Sequence, residues 1–142
     1  MITAFDADVL IYAASNDQPL GRPVADLFDV PDGTYAGVGS VLLLVEVLSK
    51  PMRAGAESPE TIRLMHFLSR LDLCACDQFT ARMALALAAK YGLRSMDATH
   101  LATAIVAGAD RFLTDNRKDF SKSIHEIEIV YPDELIVDAE SA

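Results

Sequence analysis

Apolar residues in this chain come in short runs separated by longer stretches of helical periodicity, and that alternation restricts the available folds more than any other feature. Ile2 to Phe5, Thr34 to Val38, Leu73 to Ala75, Arg111 to Thr114 and Ile127 to Tyr131 are too brief for helices and read as strands. Between them, Pro19 to Asp29 reads as an amphipathic helix. Ser40 reads as the N-cap of a second, Val41 to Ser49, that Pro51 stops. Ser58 and Pro59 open a third, which runs to Leu71. Asp77 caps a fourth ending at Tyr91 and Gly92, and Ser95 caps a fifth, Met96 to Ala107, before Gly108. Strands alternating with helices predict a three-layer α/β/α domain on a mainly parallel central sheet. With 142 residues the chain suits one such domain over 1–142, including an acidic tail over 126–142 that begins with the last strand.

Composition narrows the function classes. Half of the residues, 51%, are apolar, enough to bury one ordinary core. Lys and Arg number 12 against 21 Asp and Glu, a net charge of −9, which argues against nucleic-acid binding through a broad basic face. The N-terminal segment meets Asp6 and Asp8 at once and has no basic region, unlike a secretory signal. Val41 to Val45 and Ala98 to Ala109 are far shorter than the roughly 20 residues that cross a bilayer, so no membrane association is expected and the expected location is cytoplasmic. Cys74 and Cys76 suit neither a disulfide framework nor a four-ligand zinc site and are expected to be reduced core residues on one face of a strand.

Several carboxylates stand where a core is expected. Asp6 ends an apolar strand, and Asp8 precedes the apolar Val9-Leu10-Ile11. Glu46 is the lone charge in Val41 to Leu48, Asp97 is the lone charge in Met96 to Ala109, and Asp115 follows the strand ending at Thr114. An isolated carboxylate in an apolar environment costs several kcal/mol unless it is paired, protonated or bound to a metal. Each has an innocent explanation: Asp97 at the positive end of its helix, Glu46 paired with Lys50 one turn on, Asp8 as an N-cap. A shared site explains all of them at once. In a parallel α/β sheet the strand carboxyl ends and helix N-termini converge on one edge, where these acids would gather around a hard cation, Mg²⁺ or Mn²⁺.

These residues resemble the PIN-domain nucleases, in particular the VapC-like toxins of bacterial toxin and antitoxin pairs. Asp6-Ala7-Asp8-Val9-Leu10-Ile11 is similar to the family's opening D-[TS]-[NSD]-V-L-I, departing at Ala7. Glu46 lies in an apolar helix in the first third of the chain, as in the family. Leu93-Arg-Ser-Met-Asp97-Ala-Thr-His-Leu-Ala-Thr-Ala104 looks like its acid, Ala, x, His, Leu, Ala, x, Ala helix, and the segment Ala109 to Phe120 like its closing strand and turn. The resemblance implies a metal-dependent endoribonuclease with Mg²⁺ or Mn²⁺ held by Asp6 and Asp97 and supported by Glu46. Where many members carry a fourth acid this chain has Asn116, so Asp115 completes the set, or Asn116 does through its carbonyl oxygen, or three acids hold the metal. Thr114 is expected to orient a water or a carboxylate, and Arg94, Arg117 and Lys118 are candidate contacts to RNA phosphate. The resemblance further implies a cognate antitoxin whose tail enters the acidic groove with a basic side chain, and a homodimer.

Two other readings compete. Phe5-Asp6-Ala7-Asp8-Val9 also resembles the D-x-D motif of haloacid-dehalogenase phosphatases, where Asp6 would be the nucleophile and Asp8 the acid and base, but Glu46 then has no role. The Asn116 departure is compatible with a degraded site that only binds a partner. His100, flanked by Leu101 and Ala102, reads as a packed, hydrogen-bonded histidine outside the catalytic set. Residues 126–142 hold six acids and no Lys or Arg, so most of the surplus negative charge belongs to the tail, and nucleic-acid binding is expected to need the metal.

Overall fold

In a computed structural model that describes residues 1–15 and 17–135, the order of elements is β1 (Thr3–Phe5), α1 (Ala7–Ala14), α2 (Gly21–Asp26), β2 (Gly37–Ser40), α3 (Leu43–Gly55), α4 (Pro59–Ser69), β3 (Leu71–Cys74), α5 (Gln78–Tyr91), α6 (Ser95–Val106), β4 (Arg111–Leu113) and β5 (Glu128–Val130). A helical turn over 132–135 follows. The acidic residues Asp138 and Glu140 lie outside the described residues.

The strands form one sheet in the order β3-β2-β1-β4-β5, and every pairing is parallel, so the mainly parallel sheet expected is wholly so. Side chains alternate across the strands and divide the core in two. Phe5, Leu113 and Val130 face Leu10, Val24, Leu43 and Leu64 of α1 to α4. Ala4, Val38, Phe112 and Ile129 face Ala84 and Leu87 of α5 and Leu101 of α6. Both faces are thus covered, which is why the strands lack a polar alternation. Phe112 is fully buried against Phe120, ring centroids 5.0 Å apart. Phe112→Ala is expected to cost about 3–5 kcal/mol, read as a lower denaturant midpoint; an unchanged midpoint would mean that this core layer repacks without loss.

Caps set several boundaries as the residues suggest. Ser58 and Asp77 accept from the backbone N–H groups of Thr61 and Thr80, and Gly92 ends α5 at φ 67°, a conformation that favours glycine. Elsewhere the structure departs from expectation. The Val9-Leu10-Ile11 run belongs to α1, capped by Asp6, so Asp8 lies in a first turn and is not the cap. Ser40 closes β2, although its hydroxyl still accepts from Leu42 N–H. Helix α3 runs through Pro51 to Gly55 because its buried face, Leu43, Val47 and Leu48, is held by packing that outweighs one missing donor. Ser95 is the first residue of α6, not its cap. Cys74 and Cys76 are free but half-buried, and only Cys74 lies in a strand, because β3 is the sheet's edge.

Candidate active site

Strand order reverses between β1 and β4: the chain builds outward from β1 to β3, then returns to the other side of β1. Ligands in open parallel sheets bind at the carboxyl edge of such a switch point. Asp6 follows β1 there. Because Phe5 pairs with Leu113, Asp6 lies beside Thr114, whose hydroxyl donates to Asp6 Oδ2 at 2.7 Å. Asp6 Oδ1 accepts from Ala7 N–H at 2.8 Å at the start of α1. Both residues are buried. Burial pushes the Asp6 carboxyl up from its ordinary value; the Thr114 bond and nearby His100 oppose this, and the Asp97 charge adds to it.

Glu46 and Asp97 reach the same edge from two helices. Glu46, in the first turn of α3, hydrogen-bonds through Oε2 to Nε2 of His100 on α6. A carboxylate only accepts, so His100 donates from Nε2, and among the described residues its buried Nδ1 has no partner. His100 is therefore packed and hydrogen-bonded as expected, and its partner is a site residue. Asp97, one turn before His100, has its carboxyl raised first by desolvation and then by the charges of Asp119 and Glu46, with His100 and Arg94 opposing. Four carboxylates from separate segments, Asp6, Glu46, Asp97 and Asp119, thus share one electrostatic environment.

Asp119 was not singled out in the sequence. Its signal is Asn116, three positions earlier: Asn116 Oδ1 accepts from Asp119 N–H at 3.3 Å and Asn116 Nδ2 donates to Asp119 Oδ2 at 3.0 Å, a turn that fixes Asp119 where its charge acts on Asp97. The Asn116 side chain is thereby occupied. Asp115 stands beside Asp8 and Tyr12: its N–H donates to Asp8 Oδ2 at 3.1 Å, and burial first, then the charges of Asp115 and Asp8, raises the Tyr12 phenol. Desolvation first, then the Asp6 charge, raises the Asp8 carboxyl to about 7, and among the described residues its buried Oδ1 has no hydrogen-bond partner.

The three basic candidates separate. Arg94 and Lys118 are exposed, Arg94 close enough to Asp97 to act on its charge. Arg117 is engaged: it pairs with Asp133, approaches Asp115 at 3.7 Å and stacks over the Tyr131 ring. Among the described residues no three His, Cys, Asp or Glu side chains are gathered into a ready-made metal cage. The donor set nonetheless fits a hard cation. It is all carboxylate oxygen, it is partly buried, and desolvation first, then neighbouring carboxylate charge, raises Asp6, Asp8 and Asp97.

Comparisons with known proteins bear on the fold and the family. No curated protein matches the chain. The fold is similar to that of a toxin-antitoxin complex from Klebsiella pneumoniae, with TM-score 0.71 and 26% identity over 93% of this chain and 98% of that one. It is similar also to VapBC2 from Rickettsia felis bound to a DNA fragment from its promoter, with TM-score 0.70 and 18% identity over 92% and 98% of the two chains. The second likeness is one of fold alone. The PIN domain family matches residues 4–123, a span that contains Asp6, Glu46, Asp97 and Asp119 and leaves the phosphatase reading without support. The chain belongs to the PIN domain family, whose members are nucleases.

Proposed function

We propose that this chain is a metal-dependent endoribonuclease and the toxin of a toxin-antitoxin pair. What supports the reading is the mutual influence of carboxylates near the switch point of the sheet, Asp97 acting on Asp6 and both Asp119 and Glu46 acting on Asp97. Asp6, Glu46 and Asp97, with Asp119 as the fourth acid, would hold Mg²⁺ or Mn²⁺, while Asp115 and Asp8 extend the acidic surface beside Asp6. A bound divalent ion supplies a water of lowered pKa and offsets negative charge on the phosphodiester. The chain's own residues set the geometry. Thr114 and the Ala7 N–H fix the rotamer of Asp6, His100 fixes that of Glu46, and Asp97 sits at the positive end of α6. Arg94 and Lys118 stand at the rim as phosphate contacts.

A protein partner fits the neighbouring surface. A cleft of about 350 Å³ is lined by Ile11, Val47, Pro51 and Leu64, with Glu46 and Glu60 as its charges beside Lys50. An antitoxin segment with apolar residues and one basic side chain reaching Glu46 matches that lining. Val41, Leu44 and Val45 are exposed at the start of α3, where a homodimer contact would cover them. Among the described residues, no helix is long and apolar enough to cross a membrane.

Purified chain incubated with single-stranded RNA is expected to release shortened fragments with Mg²⁺ or Mn²⁺ and none after chelation, and Asp97→Asn to abolish cleavage. Calorimetry is expected to show Mn²⁺ binding to the parent. Absence of both cleavage and Mn²⁺ binding would favour the degraded, binding-only domain.

A further inference from the structure

The loop that carries Asp115, Asn116 and Asp119 is fastened to the segment over 131–135 by an assembly that the nuclease reading does not use. Tyr131 is its centre. The residue is 8% exposed, and its ring carries the Arg117 guanidinium at 4.4 Å and the Lys122 ammonium at 4.8 Å from its centroid. Its hydroxyl donates to the Phe120 carbonyl at 2.7 Å, and its N–H donates to Glu134 Oε1 at 2.9 Å. Lys122 donates to the same Glu134 oxygen at 2.6 Å and to the Ile129 carbonyl at 2.5 Å. The ring is thus held at its hydroxyl, its backbone and both cations.

Arg117 is the one part of this assembly that reaches the acidic site. Its guanidinium bridges Asp133 on the C-terminal side and Asp115 on the other. Asp115 in turn stands against Tyr12 and gives its N–H to Asp8. A guanidinium is planar, so stacking on Tyr131 fixes its plane and aims its fork at two carboxylates at once. An arginine so committed is poorly placed to greet an incoming phosphate, since it would have to leave the ring and both acids.

We propose that Arg117 is a positioning residue: locked to the C-terminal segment by Tyr131 and Asp133, it holds Asp115 against Asp8 and so fixes one wall of the acidic site. This rests on the site described above, and its effect on cleavage rests on the nuclease reading.

The test compares the full-length parent with Asp133→Asn, Arg117→Lys and Arg117→Gln by amide hydrogen exchange, followed by kcat and KM on one RNA. Asp133 is half exposed, so its substitution leaves the core intact. Exchange protection at Asp115 N–H is expected to fall about two- to fivefold in Asp133→Asn, the factor of an exposed ion pair. It is expected to fall roughly five- to thirtyfold in Arg117→Gln, with Arg117→Lys between the two because it keeps the charge and loses the plane. kcat is expected to fall in the same order with KM unchanged. Unchanged protection at Asp115 in Arg117→Gln overturns the proposal, and so does a raised KM at constant kcat, which marks a direct phosphate contact. A parent that cleaves no RNA removes the nuclease reading, and the order of exchange rates then decides the positioning role by itself.

Discussion

Asp6→Asn protein is expected to fold as the parent does and to cleave RNA at least about a hundredfold more slowly. The substitution keeps the size of the side chain and the oxygen that accepts from Ala7 N–H. It removes the charge. In the metal-free fold that charge is a burden, since burial disfavours it and Asp97 repels it. Thermal unfolding without divalent ions is therefore expected to show a melting temperature equal to or above that of the parent. Loss of activity together with preserved or increased stability separates a functional carboxylate from a structural one. Coincident losses of both would instead make Asp6 a simple helix cap, and full activity would remove it from the site. Thr114→Val supplies the graded control: it deletes the hydroxyl that orients Asp6 while leaving the carboxylate in place.

Stability of the metal-free protein is expected to decline as pH rises from about 4 to about 7, with Asp8 as one cause. Its carboxyl ordinarily titrates at 3.8 and in the fold at about 7. A raised folded pKa means that the folded state holds its proton more tightly than the unfolded chain does. The contribution is complete below the ordinary value and is lost as pH rises through 7. The slope is about 1.4 kcal/mol per pH unit across that window, an upper limit of about 4 kcal/mol in all. Asp6 and Asp97 are shifted in the same direction. Glu126 runs the other way, held at about 2 chiefly by its hydrogen bond from Tyr91, and matters only in stronger acid. Asp8→Asn is expected to flatten the profile and to raise the melting temperature at pH 8 by roughly 5–10 °C. Mn²⁺ added to the parent at pH 8 is expected to recover part of the same gain. Parallel melting curves for parent and Asp8→Asn across the pH range would exclude Asp8 as the source.

The layers and most of the elements were legible because their signals are local. Ser58 with Pro59, Asp77 with Gly92, and the brief strands at Thr3 and Arg111 carry their own caps or lengths. α1 was not legible, since eight residues beginning at Ala7 and containing Val9, Leu10 and Ile11 read equally as an apolar run. The extension of α3 past Pro51 depends on the packing of Val47 and Leu48, a tertiary effect that outweighs propensity. Asp6, Glu46 and Asp97 drew attention as charges out of place in apolar segments, a contrast readable in one dimension. Asp119 lies in a polar loop, where an acid looks ordinary, and only the turn made by Asn116 shows where it goes. For the same reason the partner of Arg117 was invisible: Asp133 lies 16 positions away and meets it only through the docking of the last strand.

Placing β4 directly beside β1 also has a consequence in time. Thr3 pairs with Arg111 across 108 positions, and Asp6 is oriented by Thr114 over the same span. At about 5–20 residues per second, a ribosome spends several seconds between making Asp6 and making the strand that completes its surroundings. During that interval the nascent chain holds three of the acids without the framework that aims them. On the nuclease reading proposed above, the surroundings that orient Asp6 are complete only once β4 has been made.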